Sequence, residues 1–502
     1  MVSLLLSVAA AADPVWVWGD LHAHSGWSFD GCEDPDADCA PLGQAPAADF
    51  YAVAAEMDLD FAALTDHAEA DLYLPEGEGG PELDVWEGQA AVVEAAEGGP
   101  VLPLLGYEWT AFRDDERRGH GRGTHRTVLL GEADPCVARR ISGFQLPDGE
   151  RVVDGSSALY VQEQEASAEK VRQLWDALDD AEEDCGPVRW LSFAHHSAYN
   201  TPQATDWSLR ENAPDREVLV EIYSEHGSSE CLDTTAEGCG FAVNSAQGYL
   251  PEGSVQAALD RGYALGFVGG TDSHDARPGS LADGPSQVSH AHDGDYRAQL
   301  TPGGLTGALV AGDLTRDSLF DALEARRTVA TSGPRPDLRL WAEGADGLSY
   351  DVGSALPHDA LPATLHVEGA DAAGYTLVGL DWVGPGGALL GQAGEAPASL
   401  DWSPRSGEAV YLRLRYADAT TGDEARVWAS PWFAARRCGC AAGPEEGGWA
   451  LVVLAALSAR SRRSAGARCP RAGAPRPPPA AAPPTPDPAP ARPPAGAAAP
   501  RC

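Results

Sequence analysis

The sequence predicts an α/β fold, a strand–helix barrel followed by a small antiparallel β domain. Apolar strand-like runs alternate with helical patterns from Val15 to about Gly333, which is typical of a parallel sheet, open or closed into a barrel. His and carboxylate residues follow these runs, and in α/β barrels chemistry collects where strands end. From about Asp337 to Phe433 short strands alternate with Gly, Asp and Pro, which indicates a β-sandwich.

Apolar periodicity assigns the individual elements of the barrel region. The helix over 166–181 is amphipathic, with an apolar face of Val171, Leu174, Trp175 and Leu178. Thr315 is a candidate N-cap for the last helix. The predicted order is strand 15–18, helix 47–57, strand 60–64, helix 83–96, strand 101–105, helix 166–181, strand 188–193, strand 218–223, helix 254–260, strand 264–268 and helix 314–325. Strands 338–340, 363–367, 375–378 and 410–414 are predicted for the β domain.

The domain boundaries follow from changes in composition. Residues 1–12 are apolar and end in three alanines, like the hydrophobic region and cleavage site of a secretory signal. The barrel is assigned to 13–335 and the β domain to 336–435. Residues 436–463 combine cysteines, a short apolar stretch and an arginine cluster, and resemble the sorting tail of myxobacterial surface proteins. Residues 464–502, rich in Ala, Pro and Arg, are predicted to be disordered.

Cysteine usage and the terminal segments predict an exported protein. The pairs Cys32/Cys39, Cys136/Cys185 and Cys231/Cys239 are candidate disulfides, which form in oxidising compartments. We therefore expect the periplasm or the outer surface of a bacterial cell, with the tail as a candidate anchor to a membrane or cell surface.

The net charge of −41 bears on partners. A strongly acidic surface repels polyanions, so no nucleic-acid partner is expected.

Metal-ligand residue types cluster at the predicted strand ends. His22 and His24 lie on one side of an extended segment because side chains alternate with period two, with Asp20 placed to orient one of them and Asp30 able to reach back. The other candidates are Asp66, His67, Glu108, His125, His195, His196, Asp272 and His274. Mixed His/carboxylate ligation suits Zn, Mn or Fe(II), and we expect two or three divalent ions.

Taken in order, these motifs resemble the PHP (polymerase and histidinol phosphatase) superfamily, and within it the bacterial domain-of-unknown-function family 3604. The resemblance covers about residues 15–335. Its motifs are Gly19-Asp20-Leu21-His22-Ala23-His24-Ser25, Gly106-Tyr107-Glu108-Trp109-Thr110, Glu221-Ile222-Tyr223-Ser224-Glu225-His226-Gly227 and Gly270-Thr271-Asp272-Ser273-His274. It implies a distorted (β/α)7 barrel that holds up to three metal ions at the carboxyl ends of its strands. The implied ligands are His22, His24, Asp30, His67, Glu108, His125, His196, Asp272 and His274, with His195 as the alternative to His196.

The resemblance also implies a metal-dependent hydrolase, a phosphoesterase in which the metal site activates water. Together with the terminal segments and the cysteines, this predicts an exported enzyme. A small, anionic substrate is expected. Arg277 is a candidate clamp for an anionic group, against an equally weighted structural salt bridge. Glu225 and His226 are candidates for acid–base catalysis or substrate contact. The alternatives are a hydrolase of C–N or C–O bonds and a non-catalytic surface binding protein.

Overall fold

The computed structural model describes residues 14–25, 28, 49–67, 85–110, 125–133, 166–186, 188–199, 205, 207, 216–236, 238–239, 249–274, 276–279 and 303–436. These described residues belong to one compact unit. Asp30, Cys32, Cys39, Cys136 and both terminal segments predicted above lie outside the described residues.

The described part of the chain is mixed α/β and dominated by sheet. The first strands are β1 (Val15–Ala23), β2 (Phe61–Leu64), β3 (Leu102–Thr110), β4 (His125–Leu130), β5 (Trp190–Ala194), β6 (Leu219–Ser224), β7 (Gly227–Ser228), β8 (Gly266–Gly269), β9 (Leu305–Val310) and β10 (Thr328–Thr331). The helices are α1 (Phe50–Glu56), α2 (Val85–Ala95), α3 (Ala166–Cys185), α4 (Val255–Asp260) and α5 (Arg316–Glu324). Among the described residues, no helix is long and apolar enough to cross a bilayer.

The remaining elements are mostly strands. They are β11 (Arg339–Gly344), β12 (Ser349–Asp351), β13 (Ala355–Leu356), β14 (Ala363–Glu368), β15 (Tyr375–Val383), β16 (Leu389–Ala393), β17 (Ala398–Trp402), β18 (Ala409–Asp418), β19 (Glu424–Ala429) and β20 (Trp432–Ala434). Single 3₁₀ turns occupy Pro251–Gly253, His358–Ala360 and Pro385–Gly387.

Most strands of the first part run in one direction. β1, β2 and β3 are mutually parallel, β4 is antiparallel to both β3 and β5, and β5, β6 and β8 are again parallel. Hence the carboxyl ends of β1, β2, β3, β5, β6 and β8 and the amino end of β4 lie at the same edge of the sheet. This edge carries the residues singled out in the sequence.

The two ends of this parallel set meet at that same edge. Ala23 at the end of β1 forms a parallel bridge with Ser273, which follows β8. The His24 amide donates to the Ser273 carbonyl at 2.7 Å, and the Asp272 amide donates to the His22 carbonyl at 2.7 Å. Within the described residues the β8 ladder pairs only with β6, so this contact is a local bridge and does not complete a ladder.

Helical packing follows the predicted apolar faces. Val171, Leu174, Trp175 and Leu178 of α3 are all buried in one cluster. Thr315 caps α5, with its hydroxyl accepting from the Ser318 amide and the Ser318 hydroxyl accepting from the Thr315 amide. Burial of these faces holds the helices against the sheet. Each large apolar side chain that is buried contributes roughly 1.5–3 kcal/mol to the free energy of folding.

The C-terminal strands form two layers around a shared core. One is the four-stranded antiparallel sheet β12-β11-β14-β17, and the other contains β15, β16, β18 and β19. Leu365 of the first layer and Leu412 of the second belong to one buried cluster. β19 also pairs with β10, so the second layer continues the sheet that carries the edge described above.

Of the candidate disulfides, Cys231–Cys239 is formed, with Cα atoms 5.9 Å apart. Cys185 is also disulfide-bonded, and its predicted partner Cys136 lies outside the described residues.

Candidate metal centre

The polar edge of the sheet is a buried cluster of histidines and carboxylates. The strands that supply it are longer than predicted: β1 runs on through His22, and β3 runs on through Glu108. Glu108 remains in a strand because it pairs with Thr127 of β4 and bridges to His67. The members of the cluster are His22, His24, His67, Glu108, His125, His195, His196, Glu221, Glu225, His226, Asp272 and His274, all buried.

Four of these side chains converge on one point. His22 Nε2 lies 3.1 Å from Glu108 Oε2 and 3.5 Å from Asp272 Oδ1, and His24 Nε2 lies 3.2 Å and 3.3 Å from the same two oxygens. The two imidazole nitrogens are 3.1 Å apart. Ligands about 2.0–2.2 Å from a tetrahedral ion lie about 3.3–3.6 Å from one another. The observed separations of 3.1–3.5 Å lie at or slightly below that spacing, so small outward shifts of these side chains would accommodate a single four-coordinate ion.

Four histidines of the cluster have their Nδ1 atoms anchored by a neighbouring group. His274 Nδ1 lies 2.7 Å from the Asp272 carbonyl, and since that carbonyl only accepts, Nδ1 carries the hydrogen. His22 Nδ1 and His195 Nδ1 lie 2.9 Å and 2.7 Å from Glu221, and His24 Nδ1 lies 2.8 Å from the Ser28 hydroxyl. Such anchoring is the usual arrangement of metal-binding histidines, because it directs the Nε2 lone pair at the ion.

Further ligand atoms lie beside this point. Four further sets of side chains bring nitrogen or oxygen atoms within 4.8 Å of one another: His24, His67 and His274; His125, His195 and His196; His22, His195 and Glu221; and His195, His226 and Asp272. His125 Nδ1 contacts the second oxygen of Glu108. Glu108 therefore joins the four-residue set to the set around His125, as a bridging carboxylate would.

Buried nitrogen atoms without a hydrogen bond support a ligand at this edge. His125 Nε2 and His196 Nδ1 are fully enclosed and make no hydrogen bond within the described part of the chain. A buried polar atom left in this state costs about 1–3 kcal/mol. A metal ion satisfies such an atom, and the nitrogens fit one.

The charges of the cluster are strongly coupled. Burial alone would lower the pKa of His22, but Asp272 and Glu221 outweigh it and hold that pKa well above its usual value. Burial likewise opposes ionisation of Glu108, yet His67, His125 and His195 hold its pKa well below the usual value. The carboxylates thus attract positive charge to His22, and a metal ion that binds there replaces the proton.

Burial keeps the neighbouring pair of histidines neutral. The pKa of His195 is held well below its usual value by burial and then by His196. The pKa of His196 is lowered by burial and by His125 and His226. Neutral imidazole is the form that binds metal ions.

Glu221 was not among the predicted site residues, although it lies in a family motif. It sits within β6, and its two oxygens accept from His22 and His195 at once. Burial raises its pKa to about 7. A carboxylate inside an otherwise apolar run, Leu219–Ser224, was the signal available in the sequence.

Replacing Glu221 by Gln is expected to weaken metal binding by about 10–100-fold, the range found for groups that anchor ligand histidines. The amide presents only one acceptor, so His22 and His195 cannot both be held. Titration of the metal-free protein with Zn²⁺ or Mn²⁺ measures the affinity. Glu217→Gln is the matched control, because that buried carboxylate pairs with Arg126. Equal affinities of wild type and Glu221→Gln would contradict the assigned role.

Two candidate ligands at this edge have strained backbone conformations. Asp272 and His196 adopt left-handed conformations, with φ of 59° and 31°, which non-glycine residues adopt at a cost. Gly270 gives room for the approach: a Cβ there would lie 2.5 Å from His22 Cβ and 2.8 Å from Glu221 Oε2. The Gly269-Gly270 pair thus allows β8 to pass close to the cluster.

Two aspartates predicted near the ligands have supporting roles. Asp20 accepts hydrogen bonds from the amides of His22, Thr271 and Gly279 at 3.0–3.1 Å. It therefore holds backbone in place, whereas the sequence had predicted that it orients an imidazole ring. Asp66 accepts from the amide and hydroxyl of Ser25 and from Gln89. Both aspartates tie the loops after β1 and β2 in place.

The three residues predicted to contact substrate, His226, Glu225 and Arg277, differ in position and burial. His226 Nε2 lies 3.0 Å from Asp272 Oδ2, inside the cluster. Glu225 Oε1 is 3.9 Å from His274 Nδ1, at its margin. Arg277 is exposed.

The fold and the cluster define a mixed α/β protein with a buried His/carboxylate centre at one edge of its sheet. The chain belongs to the family described as "Protein of unknown function (DUF3604)", which it matches over residues 81–355, more than half of its length. His22, His24 and His67 precede the matched segment.

Relatives of this chain occur in chlamydiae. An uncharacterized protein of Chlamydia trachomatis serovar D is 38% identical over 123 residues, 24% of this chain and 17% of that protein. An uncharacterized protein of Chlamydia muridarum is 38% identical over 120 residues, 24% and 17% of the two chains. An uncharacterized protein of Chlamydia pneumoniae is 30% identical over 233 residues, which are 43% of this chain and 34% of that protein. This chain thus spans between 17% and 34% of the length of these relatives.

Proposed function

We propose that the protein is a metal-dependent hydrolase, a phosphoesterase, with its reaction centre at the buried edge of the sheet. One observation carries the proposal: Nε2 of His22, Nε2 of His24 and oxygens of Glu108 and Asp272 converge at separations of 3.1–3.5 Å. Without a cation these lone pairs and charges repel one another. Zn, Mn or Fe(II) suits the donors.

The residues divide into those that hold ions and those that shape the site. His22, His24, Glu108 and Asp272 would hold one ion, and the sets around His125 and His67 would hold one or two more. Divalent ions held there would supply polarisation of a phosphoryl oxygen and would lower the pKa of water. Glu221 keeps two of the imidazoles oriented, and the strained backbone at Asp272 keeps its carboxylate aimed inward.

Three residues are assigned to the substrate. His226, within the cluster, is placed to donate a proton to the leaving group. Glu225 lies beside it as a polar contact at the margin. Arg277, exposed after β8, is suited to a bidentate contact with an anionic part of a small substrate.

We further propose that the parallel strands form a PHP-type distorted barrel. The bridge from Ala23 to Ser273, which joins the two ends of the parallel set, supports this arrangement, as does the order of the ligand motifs. The disulfide Cys231–Cys239 supports export, because such bonds persist in oxidising compartments.

Assays of purified protein loaded with Mn²⁺ or Zn²⁺ test the proposal. We expect hydrolysis of bis-p-nitrophenyl phosphate or p-nitrophenyl phosphate, and its loss in His22→Ala. Glu343→Gln, on the exposed face of β11, is the control. Turnover of p-nitrophenyl acetate or an anilide without phosphate ester hydrolysis would favour C–O or C–N cleavage. A metal-loaded protein inactive on all of these would favour a binding protein.

A further inference from the structure

His226 sits at the tip of a tight hairpin. β6 and β7 are antiparallel neighbours with Ser224 opposite Gly227, so Glu225 and His226 form a two-residue turn between them. Hairpin tips are held mainly by what packs against the strands below them. The position of His226 relative to Asp272 therefore depends on the base of this hairpin.

Glu230, which lies just beyond β7, is hydrogen-bonded to side chains of the C-terminal strands. Glu230 is buried, and its two oxygens accept from Tyr411 Oη at 2.7 Å and from Trp428 Nε1 at 2.8 Å. Arg413, also buried, donates to Glu230 at 2.9 Å and to Asp381 at 3.0 Å. These bonds connect β18 and β19 to the segment that follows the hairpin.

The two aromatic residues also support the strands that carry the reacting groups. The Trp428 ring stacks on Tyr223 of β6 with centroids 5.4 Å apart. The Tyr411 ring packs edge-on against Phe267 of β8 at 5.2 Å. β6 leads to His226 and β8 leads to Asp272, and these two side chains meet at 3.0 Å.

We infer that Glu230, Trp428 and Tyr411 are positioning residues through which the C-terminal β layers hold His226 against Asp272. The inference rests on the proposed function in assigning catalytic consequence to that placement. It also assigns a role to the C-terminal strands: they set the geometry of a centre to which they contribute no candidate ligand among the described residues.

The test uses the full chain with Trp428→Phe and Tyr411→Phe combined. Each replacement retains an aromatic ring and removes the hydrogen bond to Glu230. Tyr411→Phe also removes the bond that Gln256 donates to Tyr411. Trp382→Phe is the matched control, because this buried tryptophan of β15 packs on Trp432. Amide exchange followed by mass spectrometry over residues 222–230 should be at least tenfold faster in the double variant and unchanged in the control.

Kinetics on bis-p-nitrophenyl phosphate with Mn²⁺ give the second readout. We expect kcat to fall about tenfold, since small displacements of a reacting group have large effects, with KM and metal content unchanged. In a His226→Ala background the same double substitution should cause no further fall. Unchanged exchange over 222–230, or an equal fall of kcat with and without His226, would overturn the inference. If the wild type hydrolyses no phosphate ester, the proposed function fails, and the exchange readout still decides the positioning.

Discussion

Asp272→Asn is expected to lower phosphate ester hydrolysis by about 1000-fold, because one carboxylate serves two groups of ligands. Its Oδ1 lies 3.3 Å from His24 Nε2, and its Oδ2 lies 3.3 Å from His195 Nε2. An amide has one acceptor in place of two and carries no charge. A divalent ion supplies several kcal/mol of charge stabilisation, and about 1.4 kcal/mol corresponds to tenfold in rate.

The same substitution should remove at least one equivalent of metal. Elemental analysis of the purified variant measures this, with Asp66→Asn as the matched control. Asp66 is buried at the same edge, but both its oxygens are occupied by Ser25 and Gln89. We expect the control to lose stability and to keep its metal. If Asp66→Asn lost metal while Asp272→Asn kept the wild-type amount, the ligand assignment would be wrong.

Removing the metal ions should destabilise the protein strongly. The cluster buries Glu108, Glu221 and Asp272, and buried charge is costly unless it is compensated. An ion present at 1000 times its dissociation constant stabilises the fold by about 4 kcal/mol. A free energy of this size shifts Tm by roughly 10 °C in a domain of 150–250 residues, and by less in the larger compact unit of this chain. We therefore expect a fall of several degrees.

Differential scanning calorimetry after treatment with a chelator measures the shift. Adding Zn²⁺ or Mn²⁺ back should restore the original Tm, whereas Mg²⁺ should restore it poorly because the donors are mostly imidazoles. A Tm that is the same before and after complete metal removal would contradict the compensation argument.

Local patterns in the sequence predicted much of the fold. The amphipathic helix α3 and the capped helix α5 formed where periodicity and Thr315 placed them. Strand ends were placed less well, because β1 and β3 continue through His22 and Glu108. These strands carry polar residues at their ends, and an apolar pattern stops where such residues begin. The strands extend further because their last residues pair with a neighbouring strand, as Glu108 does with Thr127 of β4.

The candidate site was predictable as far as residue type and strand direction allowed. Histidines and carboxylates after parallel strands were expected to converge. The described ones do so except Asp66, which is bonded to Ser25 and Gln89. Glu221 was not predicted, because its role depends on two histidines from other strands. The reversed direction of β4 brings His125, at its amino end, to the shared edge. Residue spacing alone does not reveal such long-range relations.

Elemental analysis of the purified wild-type protein tests the central claim most directly. The protein is prepared without added metal or chelator and is shown to be folded by circular dichroism. We expect two or three equivalents of Zn, Mn or Fe per chain, retained through gel filtration. A folded protein with less than half an equivalent of these metals, which binds none when Zn²⁺ or Mn²⁺ is supplied, would contradict it.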